Sequence, residues 1–278
     1  MRRDIAVVVL THNRVHLLRQ CVENVLARTS ALTSEIVIWD NASTDGTSAY
    51  LAGLNDPRLT VVSHPENIGH NGYAEAFAAT SATHLVELDD DVIDAPPEWD
   101  RTLLEAFERI PKIGFLAADL VFDEHDQASF IRHRLRPDRY RQVTVEGIEL
   151  LEGPTGGGCA MTSRALHDLV GGWPRHPDEI FFQEEAEYIA AIERLGYRKA
   201  VLAGLAVHHT GGPYYAGSTP AKERYWRSYW REVRRRNAIK RILLGVPGLP
   251  AANRALKLFG PLEWTPPREA AAARRDGN

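Results

Sequence analysis

Ile5-Ala6-Val7-Val8-Val9-Leu10-Thr11-His12-Asn13-Arg14 is the stretch that decides the fold. Six consecutive apolar residues have the length of a buried strand. A polar turn follows, and then Leu17, Leu18, Cys21, Val22, Val25 and Leu26 recur at helical spacing. Strand, loop and helix repeat downstream: the strand Glu35 to Trp39, the capping-rich turn Asp40-Asn41-Ala42-Ser43-Thr44-Asp45-Gly46, and a short helix near Thr47 to Leu54. Leu59 to Val62, the loop Pro65 to Gly72, a helix near Tyr73 to Ala79 and the strand His84 to Leu88 continue the pattern. The alternation predicts an α/β fold, a mainly parallel Rossmann-like sheet with flanking helices. In such sheets ligands collect at the carboxyl ends of the strands. Thr11 to Arg14, Asp40 to Gly46 and Asp89 to Asp91 each follow a strand directly, so one crevice would gather them.

The last of these clusters is the most demanding chemically. Asp89-Asp90-Asp91 closes the apolar run Leu85-Val86-Glu87-Leu88, and carboxylates this close repel unless a hard divalent cation or a set of donors compensates them. A solvated acidic turn is the plain alternative. Further on, Pro96-Pro97-Glu98 opens a helix carrying Trp99, Leu103, Leu104, Phe107 and Ile110, and Gly114 to Ala118 reads as a strand. Residues 123 to 150 read as an insertion of short strands and loop. Gly156-Gly157-Gly158 precedes another short apolar strand, where glycine admits either a close ligand or a tight turn. Glu184 and Glu185 fall at the amino end of a helix continued by Ile189, Ile192 and Leu195 and stopped by Gly196, a position where the macrodipole alone favours carboxylates. The strand Ala200 to Val207 delivers His208 and His209 towards the same crevice, as metal-ligand candidates.

Composition places these pieces in an ordinary soluble protein of 278 residues, 44% hydrophobic and 25% charged. Cys21 and Cys159 are far apart, have no metal spacing, and read as reduced packing residues. No apolar run approaches the roughly 20 residues of a spanning helix, and a cytoplasmic location is expected. The net charge of -4 hides two regions. Residues 1 to 210 carry 19 Lys and Arg against 32 Asp and Glu, whereas residues 211 to 278 carry 14 against 5. Different partners are implied for the two.

Taken in order, the pieces Val7 to Arg14, Trp39 to Gly46, Glu66-Asn67-Ile68-Gly69, Leu88 to Asp91, Val170-Gly171-Gly172-Trp173, Phe181 to Glu187 and His208-His209 resemble the inverting family-2 glycosyltransferases with the GT-A fold. The likeness is to a rhamnosyl- or galactofuranosyl-transferase-like bacterial group and covers roughly residues 4 to 212. It implies a donor pocket for a UDP-, dTDP- or GDP-linked sugar formed by Thr11, Asn13, Arg14, Asp40, Asn41, Asp45, Asn67, Gly69, Asp89 and Asp90. Asp89 matches the position that faces the ribose and Asp91 the metal-binding aspartate. Mg2+ or Mn2+ would be held by Asp91 and Asp89 with a histidine, His208 as first choice and His209 left open. Glu185 matches the catalytic base, which takes a proton from the acceptor hydroxyl in a single inverting displacement. Gly157, Gly158, Trp173 and Glu184 would lie on the acceptor side. Many members carry Asp at the positions of Glu185 and Glu187, so reach and geometry differ here by one methylene.

The organisation expected is a catalytic domain over 1–212, a basic aromatic helical extension over 213–264 and a disordered tail over 265–278. In the extension Tyr225, Trp226, Tyr229, Trp230 and Val233 recur at helical spacing among eight basic residues from Arg224 to Arg241. Such a helix packs on the core, or lies on an anionic membrane at the inner face, or meets an acidic acceptor. Nucleic acid is not expected as a partner. Two rival functions are a nucleotidyltransferase, which would need a Gly-rich basic phosphate loop absent after the first strand, and a metal-dependent nucleotide-sugar-binding or scaffolding protein without turnover.

Overall fold

The computed structural model describes residues 4–122, 137–179, 181, 184–210, 220–256 and 258. The chain divides into two compact units, Met1–Gly217 and Ser218–Asn278. In the first, β1 (Ile5–Thr11), α1 (Val15–Arg28), β2 (Thr33–Asn41), α2 (Thr47–Ala52), β3 (Leu59–His64), α3 (Asn71–Ala78) and β4 (His84–Asp89) alternate as their residues predict. There follow β5 (Val92–Asp94), α4 (Trp99–Arg109), β6 (Ile113–Phe122), β7 (Arg141–Val145), β8 (Ile148–Glu152), β9 (Cys159–Ser163), α5 (Arg164–Leu169), α6 (Glu184–Arg194) and β10 (Arg198–His209). Among the described residues the strands form one sheet in the order β3-β2-β1-β4-β9-β6-β10-β8-β7, with β5 pairing against β10.

β3, β2, β1 and β4 are all parallel, so Thr11, Asp40 and Asp89 arrive at one edge in register: Thr11 pairs with Asp40 and Leu10 with Asp89. β9 runs antiparallel between β4 and β6, which brings the glycine run before it back to the end of β4. Part of the expected insertion is the β7–β8 hairpin, and residues 123–136 of it lie outside the described residues.

Strand alternation divides the core into two layers. Val7 and Val9 face α1 and α4 through Leu18, Cys21, Val25, Leu103 and Phe107, all buried. Ala6 and Val8 face the other side, where Tyr73 and Phe77 of α3 meet Trp173 and Tyr188 and Ile192 of α6. β4 obeys the same rule: Val86 and Leu88 belong to the first layer and Leu85 to the second, which places Glu87 and Asp89 on the second face. Asp100, fully buried at the start of α4, accepts from Ser30 N (2.8 Å), Ser30 Oγ (2.8 Å) and Thr33 Oγ1 (2.7 Å) and ties α4 to the turn before β2.

The second unit contains α7 (Pro220–Leu244) and α8 (Leu249–Leu256). The helical spacing read over 220–244 is matched at both ends. The expected tail, 265–278, lies outside the described residues.

Candidate active site

The end of β4 places Asp89, Asp90 and Asp91 in three different environments. Asp89 is half-buried, receives the Tyr73 hydroxyl at 3.1 Å and faces His209 Nε2 at 2.9 Å. Burial works against its charge, but the His209 contact, Arg14 and Tyr73 outweigh it and hold the carboxyl down to about 2. Asp90 is buried, accepts from Thr11 Oγ1 at 2.7 Å and from Arg14 Nη1 at 2.5 Å. Burial, reinforced by Asp91 and partly offset by Arg14, pushes it up to about 6. Asp91 takes Arg14 Nη2 on Oδ2 at 2.6 Å and turns Oδ1 to His209 Nε2 at 3.1 Å.

The donor atoms of Asp89, Asp91 and His209 lie within 4.8 Å of one another. Asp91 Oδ1 is buried, and beyond its approach to His209 Nε2 it accepts no hydrogen bond among the described residues. Two carboxylates and an imidazole are a donor set that suits Mg2+ or Mn2+, so the residues fit the metal that the Asp-x-Asp pattern implies. His208 is not part of this convergence. It precedes His209 on β10, where successive side chains face opposite sides, and a bulge separates their pairings with β5. The order of preference between the two histidines therefore reverses.

The remaining residues expected on the donor side are bonded to one another across the strand ends. Asn13 (φ +53°) donates its amide N–H to Ser43 Oγ at 2.9 Å and accepts from Thr44 N at 2.6 Å. Asp40, buried, accepts from Ser43 N at 3.0 Å and Ser48 Oγ at 2.9 Å. Asn41 receives Ile68 N and donates to Gly69 O, both at 3.0 Å, and Asn67 accepts from Gly69 N at 2.9 Å. Asp45 serves two helices, accepting from Val15 N at 2.9 Å and from Thr47 Oγ1 at 2.6 Å. These bonds outweigh its burial and lower its pKa. Three loops from three strand ends are thus locked together by side chains that the sequence supplies in pairs.

α6 carries Glu184 and Glu185 in its first turn, near enough to Glu87 and Asp89 for their charges to interact. Glu184 is buried and bonded to His70 Nδ1, whose ring lies 4.6 Å from that of Phe181. Glu185 is half-buried, and withdrawal from water together with Glu184 and Asp89 raises its pKa to about 8. His176 pairs with Glu187 at 2.8 Å. Trp173, expected on the acceptor side, is instead only 4% exposed. It stacks on Tyr188 at 4.5 Å and contacts Phe77 and Tyr73 at 5.1 and 5.6 Å, wedging α6 against α3.

Glu87 was given no role by its sequence context and is the residue that most changes the site. It is buried on the same face as Asp89, and neither carboxylate oxygen accepts a hydrogen bond of ordinary geometry among the described residues. Burial, then Glu185, Asp89 and Glu184, push its pKa well above the ordinary range, with the Gly158 amide a weak counterweight. A Cβ on Gly157 would stand 2.2 Å from this carboxylate, so a side chain there would require Glu87 to move. Gly158 takes φ +90° and accepts Asp89 N on its carbonyl at 3.0 Å. The signal was present: a lone carboxylate inside an apolar strand, one strand period before Asp89.

The sheet order, the Asp-x-Asp at the end of β4 and the acidic helix across from it are those of the GT-A class of folds. The model of glycosyl transferase family 2 matches residues 6–170, more than half of the chain, and the protein belongs to that family. A curated relative, the succinoglycan biosynthesis protein ExoO of Rhizobium meliloti (strain 1021), is 28% identical over 134 residues, covering 48% of this chain and 36% of that protein. Among solved structures, GalNAc-T7 with UDP, GalNAc and Mn2+ is similar at a TM-score of 0.57 and 18% identity, over 75% of this chain and 44% of that one. The mannosyltransferase PcManGT from Pyrobaculum calidifontis, in complex with GDP-Man and Mn2+, is similar at 0.53 and 19% identity, over 99% and 80%. This chain spans well under two thirds of ExoO and of GalNAc-T7. The rhamnosyl or galactofuranosyl subgroup has no support among these relatives.

Proposed function

We propose that the protein transfers a sugar from a nucleoside-diphosphate sugar to a hydroxyl acceptor with inversion, and that Glu185 is the base. The observation that carries this reading is Glu185 in the first turn of α6, near enough to Asp89 for their charges to interact, with burial and Glu184 raising its pKa to about 8, so that the ionised form is a stronger base than an ordinary carboxylate. Asp89, Asp91 and His209 would hold Mg2+ or Mn2+. When bound, the metal supplies a Lewis acid for the diphosphate leaving group. The relatives whose structures contain UDP, GDP-Man and Mn2+ support a donor and metal of this type.

The chain's own residues do the rest. Arg14 fixes Asp90 and Asp91, and the loops tied together by Asn13, Asn41 and Asp45 would preorganise the nucleoside end of the site. His70 and Glu184 hold the first turn of α6 so that Glu185 faces the acceptor hydroxyl, and the base takes that proton as the oxygen attacks the anomeric carbon. The acceptor would be a glycan, glycolipid or secondary metabolite.

A thermal-shift screen of UDP-, dTDP- and GDP-sugars with Mn2+ tests the donor, since a ligand at 100 times its Kd adds about 2.7 kcal/mol to stability. Turnover across an acceptor panel, lost in Glu185→Gln with donor binding retained, tests the base. Donor binding with no transfer or hydrolysis on any acceptor would favour the rival reading, a nucleotide-sugar-binding protein without turnover.

A further inference from the structure

We propose that the far end of α7 and the turn after it form a docking tip for an anionic lipid bilayer. Arg224, Arg231, Arg235, Ile239, Ile242 and Val246 follow one another at steps of seven, four, four, three and four residues, which puts them along one side of the helix and its extension. That side changes character along its length. Arg224, Arg231 and Arg235 are exposed, and beyond them Ile239, Ile242 and Val246 are 49%, 72% and 46% exposed. Leu244 joins them at the helix end, and the Gly245 to Gly248 turn is exposed throughout.

Large aliphatic side chains this open to water, gathered at one helix end, mark an interaction surface. The charge around them selects the partner. From Val233 to Leu262 the chain carries seven Lys and Arg and no Asp or Glu. A second copy of this surface would be repelled, and a nucleic acid would leave the isoleucines in water. A bilayer with anionic headgroups satisfies both ends at once. The apolar tip enters the headgroup and acyl boundary, and the arginines behind it remain among the phosphates. Among the described residues no helix is long and apolar enough to cross a membrane, so the attachment is to the surface.

Flotation of the full chain with vesicles of phosphatidylcholine, with and without phosphatidylglycerol, tests it. Binding should be about tenfold or more stronger to the anionic vesicles and should weaken with salt. Ile242→Asp and, outside the helix, Val246→Asp should each lower vesicle binding about tenfold. Their unfolding temperatures should match the parent's, because both side chains stand in water. Dextran sulfate is the soluble polyanion control. Vesicle binding unchanged in both Asp variants, equal binding to neutral vesicles, or dextran sulfate binding as strong as vesicle binding would each overturn the proposal.

Discussion

Asp91 divides its two oxygens between two cationic positions: Oδ2 accepts Arg14 Nη2 at 2.6 Å, and Oδ1 stands 3.1 Å from His209 Nε2. The Arg14 fork also reaches Asp90, so one guanidinium sets the orientation of both carboxylates. Beside the candidate metal ligands Asp89, Asp91 and His209, this contact supports a positioning role for Arg14 in place of the expected donor-side one. A lysine keeps the charge but not the fork, and cannot hold both carboxylates. Arg14→Lys is expected to lower Mn2+ affinity about tenfold in the absence of donor, as read by titration of the Mn2+ electron-spin signal. Unchanged Mn2+ affinity with a weaker donor Kd would return Arg14 to the donor pocket.

The two histidines at the end of β10 give a sharper comparison. Only His209 Nε2 converges with Asp89 and Asp91. His209→Ala is expected to weaken Mn2+ binding by about tenfold or more, while His208→Ala stays near the parent value. The same titration decides it, and a reversed order would mean that the ring of His208 turns inward on metal binding.

As the proposed base, Glu185 should set a pH limb. A base with its pKa raised to about 8 holds its proton below that pH and cannot accept another, so kcat/KM is expected to fall about tenfold per unit as pH drops below 8 and to level off above it. Glu185→Gln removes the limb together with the turnover. A profile flat from pH 6 to pH 9 in the parent enzyme would exclude Glu185 as the group that titrates.

Much of this was legible in the sequence, and the parts that were not share a cause. The strands Ile5–Thr11 and Thr33–Asn41 and the helix Pro220–Leu244 announce themselves because their period is a local property of the chain. β5 and α5, three and six residues long, are too short to establish a period. The crevice was legible as a meeting of three polar loops. The partner of each side chain was not, because Asp45 caps Val15 and Arg14 binds Asp90 across 30 and 76 residues of chain. The family resemblance implies an acceptor-side place for Trp173. Its aromatic neighbours come from α3 and α6, and only the fold brings them around it.

Replacing the Glu87 carboxyl by an amide should act through stability. Its folded-state pKa is raised above the ordinary glutamate value of 4.5, so the folded state holds this proton more tightly than the unfolded chain. The sign follows: no penalty exists below 4.5, and stability is lost as pH rises from there towards the raised value. Glu87→Gln keeps the shape and cannot ionise. The variant is therefore expected to melt higher than the parent at pH 8, by about 2 to 4 °C for each kcal/mol relieved, with the gap closing as pH falls towards 4.5. Differential scanning calorimetry over that range measures it. A variant that melts lower than the parent at every pH would instead mean that the charged Glu87 carboxylate is engaged by a cation or donor.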